Sequence, residues 1–192
     1  MASIAQNCAS GTIPGAEIVC VIGTVASSPA IERARSLGLA IRILSAKSED
    51  FDNKLASALA DLTPDLVCLA GFMRKLPKAI LERYENRIIN IHPALLPSFG
   101  GKGMYGHHVH EAVIAHGCKV TGCSVHFVDE GYDTGPIIVQ KCVPVYDTDD
   151  PEALGARVLT AEHTAYSEAI ALIAQGRVGR TGRVVKINPA DT

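Results

Sequence analysis

The feature that most constrains this chain is a repeat of short, continuous apolar runs separated by segments of helical length. Residues 18–22 (Ile-Val-Cys-Val-Ile), 40–44, 66–70 and 87–91 form such runs. Apolar residues in unbroken series, rather than alternating with polar ones, imply strands buried on both faces. A helix opens at Ser28-Pro29, with Ser28 as N-cap and Pro29 in the first position, and reaches Gly38. The next spans 49–62, with Phe51, Leu55, Leu59 and Leu62 on one face, and stops before Pro64. Helices at 77–84 and 109–116, longer strands at 120–128 and 137–144, a helix from Pro151 to about Gln175 and a short strand at 184–187 complete the series. Strand-helix-strand alternation predicts an α/β fold, a mostly parallel twisted sheet with helices on both faces and right-handed crossovers. Such sheets take ligands at the carboxyl ends of their strands. No linker or internal repeat divides the chain, so 1–192 reads as one domain, with only 188–192 frayed.

Composition narrows the function classes. With 47% hydrophobic and 20% charged residues, 192 residues can bury a substantial core. Lys and Arg number 18 against 20 Asp and Glu, and there is no Trp. The chain has neither the basic field nor the stacking platform of a nucleic-acid binder. Cys8, Cys20, Cys68, Cys118, Cys123 and Cys142 form no C-x-x-C pair and read as small core hydrophobes in a reducing compartment. No apolar stretch approaches a membrane span, and the N-terminus has neither a basic start nor an apolar signal core. The expected location is the cytoplasm.

Three loops at strand ends carry reactive side chains: 70–76, 90–99 and 125–136. Asn90 and His92 lie two apart in a strand, so both reach one side, where an amide and an imidazole can hold an oxyanion. Read locally, Asn90 equally suits a turn cap and His92 a satisfied histidine before Pro93. Asp133 sits in a Gly-flanked loop beside Asp129 and Glu130, placed to pair with His92, raise its pKa and pass a proton; plain turn chemistry fits it as well. His107-His108-Val109-His110 gives no i, i+4 histidine pair for zinc and reads as a solvated helix start. Gly100, Gly101 and Gly103 form neither G-x-G-x-x-G nor a P-loop.

Taken together, Ala70-Gly-Phe-Met-Arg, Asn90-Ile-His-Pro-Ala-Leu-Leu-Pro-Ser-Phe, Ser124-Val-His-Phe-Val-Asp-Glu-Gly-Tyr-Asp-Thr-Gly-Pro and Arg157-Val-Leu-Thr-Ala-Glu-His closely resemble the phosphoribosylglycinamide formyltransferase family, from about residue 18 to 187. The resemblance implies a Rossmann-like formyltransferase fold and transfer of a formyl group from 10-formyl-tetrahydrofolate to the amine of glycinamide ribonucleotide, in purine biosynthesis. It implies Asn90, His92 and Asp133 as the catalytic set, with no metal. It implies a folate site at Met73, Arg74, Lys75, Leu76, Ile88, Val128, Asp129 and Tyr132, mostly through backbone groups, with Gly71 and Glu162 toward the ribonucleotide. The implied partners are small molecules, on a monomer or homodimer.

Against the family pattern, residues 4–8 read as the end of a helix that should follow a strand and a Gly-Ser phosphate loop, and both are expected to be absent. Ser10-Gly11-Thr12 reads as a turn, Lys102 as a partial substitute for the loop, and Leu159 replaces a position that is often polar. The alternatives are a 10-formyl-tetrahydrofolate deformylase, a hydrolase that resembles the family around the same triad but usually carries a preceding regulatory domain, and a folate-binding, catalytically weak relative. A methionyl-tRNA formyltransferase would need an RNA-binding domain and basic charge.

Overall fold

The computed structural model describes residues 1–190. In chain order the elements are α1 (Ala2–Ala9), β1 (Val21–Gly23), α2 (Pro29–Ser36), β2 (Ile41–Ile43), α3 (Phe51–Leu62), β3 (Val67–Leu69), α4 (Lys78–Arg83), β4 (Ile88–His92), α5 (His107–Ala115), β5 (Val120–Phe127), β6 (Ile137–Pro144), α6 (Pro151–Ala174), β7 (Val178–Thr181) and β8 (Val184–Ile187). Local chemistry sets several boundaries. Ser28 Oγ accepts from Ile31 N at the start of α2, and Asp150 Oδ1 accepts from Ala153 N at 2.7 Å at the start of α6, each followed by Pro in the first turn. Thr63 takes a left-handed φ of 43° and ends α3 just before Pro64.

The α/β class is as expected, and its strand pairing changes along the chain. β1–β2 and β3–β4 are parallel, whereas β5 and β6 join β4 as antiparallel neighbours in the order β3-β4-β5-β6. A run of apolar residues reports burial on two faces, not strand direction, so the turnover was invisible in the pattern. β7 and β8 form a separate antiparallel hairpin, of which the apolar pattern predicts only β8. The fraying expected of 188–192 fails at Asn188, whose N–H donates to the Arg177 carbonyl at 2.8 Å, and 191–192 lie outside the described residues.

Neighbouring residues of β4 show how the sheet is buried on both sides. Ile89 faces a core built with Val109 and Val113 of α5 and Leu154, Val158 and Ile170 of α6. Ile88 points the other way, into a cluster with Phe51, Leu55 and Leu59 of α3 and Ile80 and Tyr84. Tyr166 locks α6 to the sheet, its buried hydroxyl lying 2.7 Å from the Leu69 carbonyl and 3.1 Å from that of Ile89. Asn90 and His92 share the direction of Ile88, but they lie beyond the cover of α3 and α4. Their polar ends therefore open into a cavity rather than the core.

Candidate active site

The cavity encloses about 740 Å³ and contains Asn90, His92 and Asp133. Phe72–Leu76 and Val128–Tyr132 line it, as do Tyr105–His107, His110, Gly155 and Glu162. Cross-strand register builds the centre. Asn90 lies opposite His126, and His92 opposite Ser124.

His92 is 3% exposed and its Nε2 lies 2.8 Å from the Phe99 carbonyl. A carbonyl only accepts, so Nε2 carries the proton and Nδ1 is left facing Asp133 Oδ2 at 3.5 Å. That separation exceeds a usual direct hydrogen bond. Asp133 is fixed from the other side by the Gly101 N–H, 3.0 Å from Oδ2. Residues 99–101 thus hold both partners, through a carbonyl on one and an N–H on the other. Both Phe99 (φ 53°) and Asp133 (φ 56°) take the left-handed backbone that non-glycine residues seldom adopt. Gly100 packs closely here: a Cβ there would stand 2.6 Å from Leu96 Cδ2 and 3.3 Å from Asp133 Cβ, so a larger residue would have to displace the Leu96 side chain.

His126 completes the centre, and sequence reasoning gave it no role. It is 2% exposed, and its Nδ1–H donates to the Phe127 carbonyl at 2.8 Å. Its Nε2 lies 3.4 Å from Asn90 Nδ2 and 3.7 Å from Asp133 Oδ1, between the two. Only the register of β4 against β5 could have revealed this, because His126 is 36 residues from Asn90.

The expectation that Asp133 raises the pKa of His92 is corrected. Burial lowers the imidazole pKa below 6.5, outweighing the upward pull of Asp133 and the Phe99 carbonyl. His92 therefore rests neutral at pH 7. Burial by itself would raise Asp133, but His126, the Gly101 N–H and His92 together hold its carboxyl below the usual range. Glu162 behaves oppositely: burial pushes it up to about 7. The Cys68 and Cys123 thiols are pushed up to about 12 by burial, which suits packing rather than nucleophilic chemistry.

The other expected residues divide into cavity wall and scaffold. Gly71, Met73, Leu76, Val128, Tyr132 and Glu162 line the cavity, Met73 with 57% of its surface exposed. Arg74 lines it too, but its guanidinium turns to the Ala46 carbonyl (2.7 Å) and the Phe51 ring. Lys75 bridges the 72–76 and 128–132 loops, donating to the Glu130 carbonyl at 3.0 Å over the Tyr132 ring. Asp129 is the organiser of its own turn, accepting from Gly131 N and Thr134 Oγ1. Ile88 is not among the lining residues: its side chain is 2% exposed under α3 and α4, and its carbonyl accepts from Val128 N. The solvated helix start holds for His107 and His108, which pair with Glu111, and fails for His110. One helical turn carries His110 inward against Gly155, 7% exposed with its Nδ1 unpartnered. Lys102 lines the cavity from the 101–103 loop.

The chain is similar to known proteins along most of its length. The family model described as formyl transferase matches residues 1–170. The chain is 39% identical to the chloroplastic phosphoribosylglycinamide formyltransferase of Arabidopsis thaliana, over 91% of this chain and 61% of that protein. It is 42% identical to the trifunctional purine biosynthetic protein adenosine-3 of Drosophila pseudoobscura pseudoobscura, over 92% of this chain and 13% of the other. It thus spans about three fifths of the plant protein and about an eighth of the fly protein. The crystal structure of glycinamide ribonucleotide transformylase 1 from Symbiobacterium toebii superposes with a TM-score of 0.90 at 42% identity, over 98% of this chain and 88% of that one. A family match over most of the chain and a solved relative matched along nearly its whole length lead to one conclusion: the chain belongs to the formyl transferase family.

Proposed function

We propose that this chain transfers the formyl group of 10-formyl-tetrahydrofolate to the primary amine of 5'-phosphoribosylglycinamide, a step of purine biosynthesis. The observation that carries the reading is the convergence of Asn90, His92, His126 and Asp133 on one cavity of about 740 Å³. A cavity of that size takes small-molecule substrates side by side over the reacting groups.

The amine nitrogen attacks the formyl carbon, and the carbonyl electron pair moves onto oxygen. The Asn90 amide has a second N–H beyond the one directed at His126, and it donates that hydrogen to the oxyanion. Because the Nε2–H of His92 is held by Phe99, only Nδ1 is open to the reacting groups. Neutral His92 takes the proton released by the amine there, and Asp133 stabilises the imidazolium that forms. The C–N bond to the folate then breaks, and the proton passes to the departing nitrogen. The folate lies against Met73, Leu76, Val128 and Tyr132, with Arg74, Lys75 and Asp129 holding the walls in place. The ribonucleotide lies toward Gly71 and Glu162. A carboxyl that titrates near 7 both donates to and accepts from hydroxyl groups.

The test is a steady-state assay of folate release with and without the ribonucleotide. Release that requires the ribonucleotide is expected. Equal release without it means that water is the acceptor, and the reading gives way to a hydrolase.

A further inference from the structure

Ser124 and Gln140 lie on the strands beside His92, yet neither reaches the reacting groups. Strand register sets His92, Ser124 and Gln140 in one row across β4, β5 and β6, so all three project from the same face. Ser124 is fully buried, and its hydroxyl uses its whole bonding capacity. It donates to the Ala94 carbonyl at 2.7 Å and accepts from Leu96 N at 2.9 Å and Gln140 Nε2 at 2.8 Å. Gln140 Nε2 spends its second hydrogen on the Leu96 carbonyl at 3.1 Å. With both Gln140 Nε2 hydrogens and the Ser124 hydroxyl hydrogen assigned, the network has one polarity, running from Gln140 through Ser124 to Ala94. Ala94 and Leu96 belong to the loop that leaves His92 and returns at Phe99.

That loop ends in a strained residue. Phe99 holds φ at 53°, and its carbonyl is the group that keeps the proton on His92 Nε2. A left-handed non-glycine residue persists only where its surroundings over-determine it. The backbone of Leu96 is held at both its N–H and its carbonyl, three residues before Phe99, and this is what the surroundings supply.

We infer that Ser124 and Gln140 are positioning residues that fix the tautomer of His92 by anchoring the 94–96 segment that aims the Phe99 carbonyl. The inference rests on the proposed function for its effect on rate, but not for its effect on His92. Without the anchor the carbonyl drifts, the proton divides between Nε2 and Nδ1, and a fraction of His92 no longer presents a basic Nδ1. That fraction is inactive while the cavity walls are unchanged, so the loss falls on kcat.

The test uses Ser124→Ala and Gln140→Met. The second removes both N–H donors at a position exposed enough to spare the core, and so answers even where Ser124→Ala fails to fold. Imidazole nitrogen resonances, read by long-range proton–nitrogen NMR of the free protein above the His92 pKa, should show a pure Nε2–H tautomer in the wild type and a mixture in both variants. In parallel, kcat should fall about tenfold, with KM for both substrates changed less than about twofold. A pure Nε2–H tautomer in Gln140→Met, whatever its activity, overturns the inference. So does a mixed tautomer with full kcat. Because the resonances need no substrate, a wild-type protein that fails to transfer formyl defeats the functional reading and leaves the tautomer arm to decide this one.

Discussion

Replacing Glu162 with Gln should stabilise the protein at alkaline pH and leave it nearly unchanged at pH 4.5. The folded carboxyl titrates at about 7, against an ordinary value of 4.5, and burial is the cause. Between those values the folded state keeps a proton that the unfolded state has released, so stability falls as pH rises from 4.5 through 7. At about 1.4 kcal/mol per pH unit the gap is worth roughly 3 kcal/mol, and water in the cavity reduces it to about 1.5. Glutamine mimics the protonated carboxyl and carries no such penalty. For a domain of this size, the variant should melt about 3–6 °C above the wild type at pH 8. Differential scanning calorimetry of the pair from pH 4.5 to 8.5 isolates the effect, because every other titrating group is common to both. A melting difference that stays constant across that range would refute the argument that burial holds Glu162 protonated.

His92→Ala and Asp133→Asn should each lower kcat about a hundredfold or more at saturating substrate. Asp133→Asn should keep a near wild-type melting curve, since Asn tolerates the left-handed backbone, whereas His92→Ala empties a buried site and should melt lower. Near-normal turnover in either would remove that residue from the mechanism. His110 has a pKa pulled below 6.5 by burial, so the protein should lose stability as pH falls through 6.5. His110→Leu should flatten that acid limb of a melting-temperature profile, and an unchanged limb would point to other groups. Gly135→Ala should destabilise by about 2–4 kcal/mol in urea titration, because a Cβ there would fall inside the Phe127 carbonyl. A silent substitution would mean that the 131–135 turn can move away from β5.

The parts of this account visible in the sequence are those encoded by local pattern. The capped start of α6, the stop of α3 at Pro64 and the exact bounds of β6 and β8 all follow from residues within a turn or two of each other. β1 is shorter than its apolar run, beginning at Val21 rather than Ile18, because strand length depends on a pairing partner that hydrophobicity does not specify. β7 was missed since Val-Gly-Arg-Thr has a single apolar residue, and its strand form comes from pairing with β8. At the site, a spacing of two puts Asn90 and His92 on one side of a strand and the family resemblance supplies their roles, whereas His126, Ser124 and Gln140 act through cross-strand neighbours that no local spacing reports. The lowered pKa of His92 was missed for a related reason: a charge partner can be guessed from sequence, but the burial that outweighs it cannot.

The central claim is that Asn90, His92 and Asp133 deliver a formyl group to an amine. The direct measurement follows a ¹³C-labelled formyl carbon on 10-formyl-tetrahydrofolate by NMR, with the ribonucleotide present, in the wild type and in His92→Ala. The account predicts that the label appears as a formamide on the ribonucleotide at a rate about a hundredfold slower in the variant. Label appearing as free formate in the wild type, or as formamide at equal rates in both proteins, would contradict it.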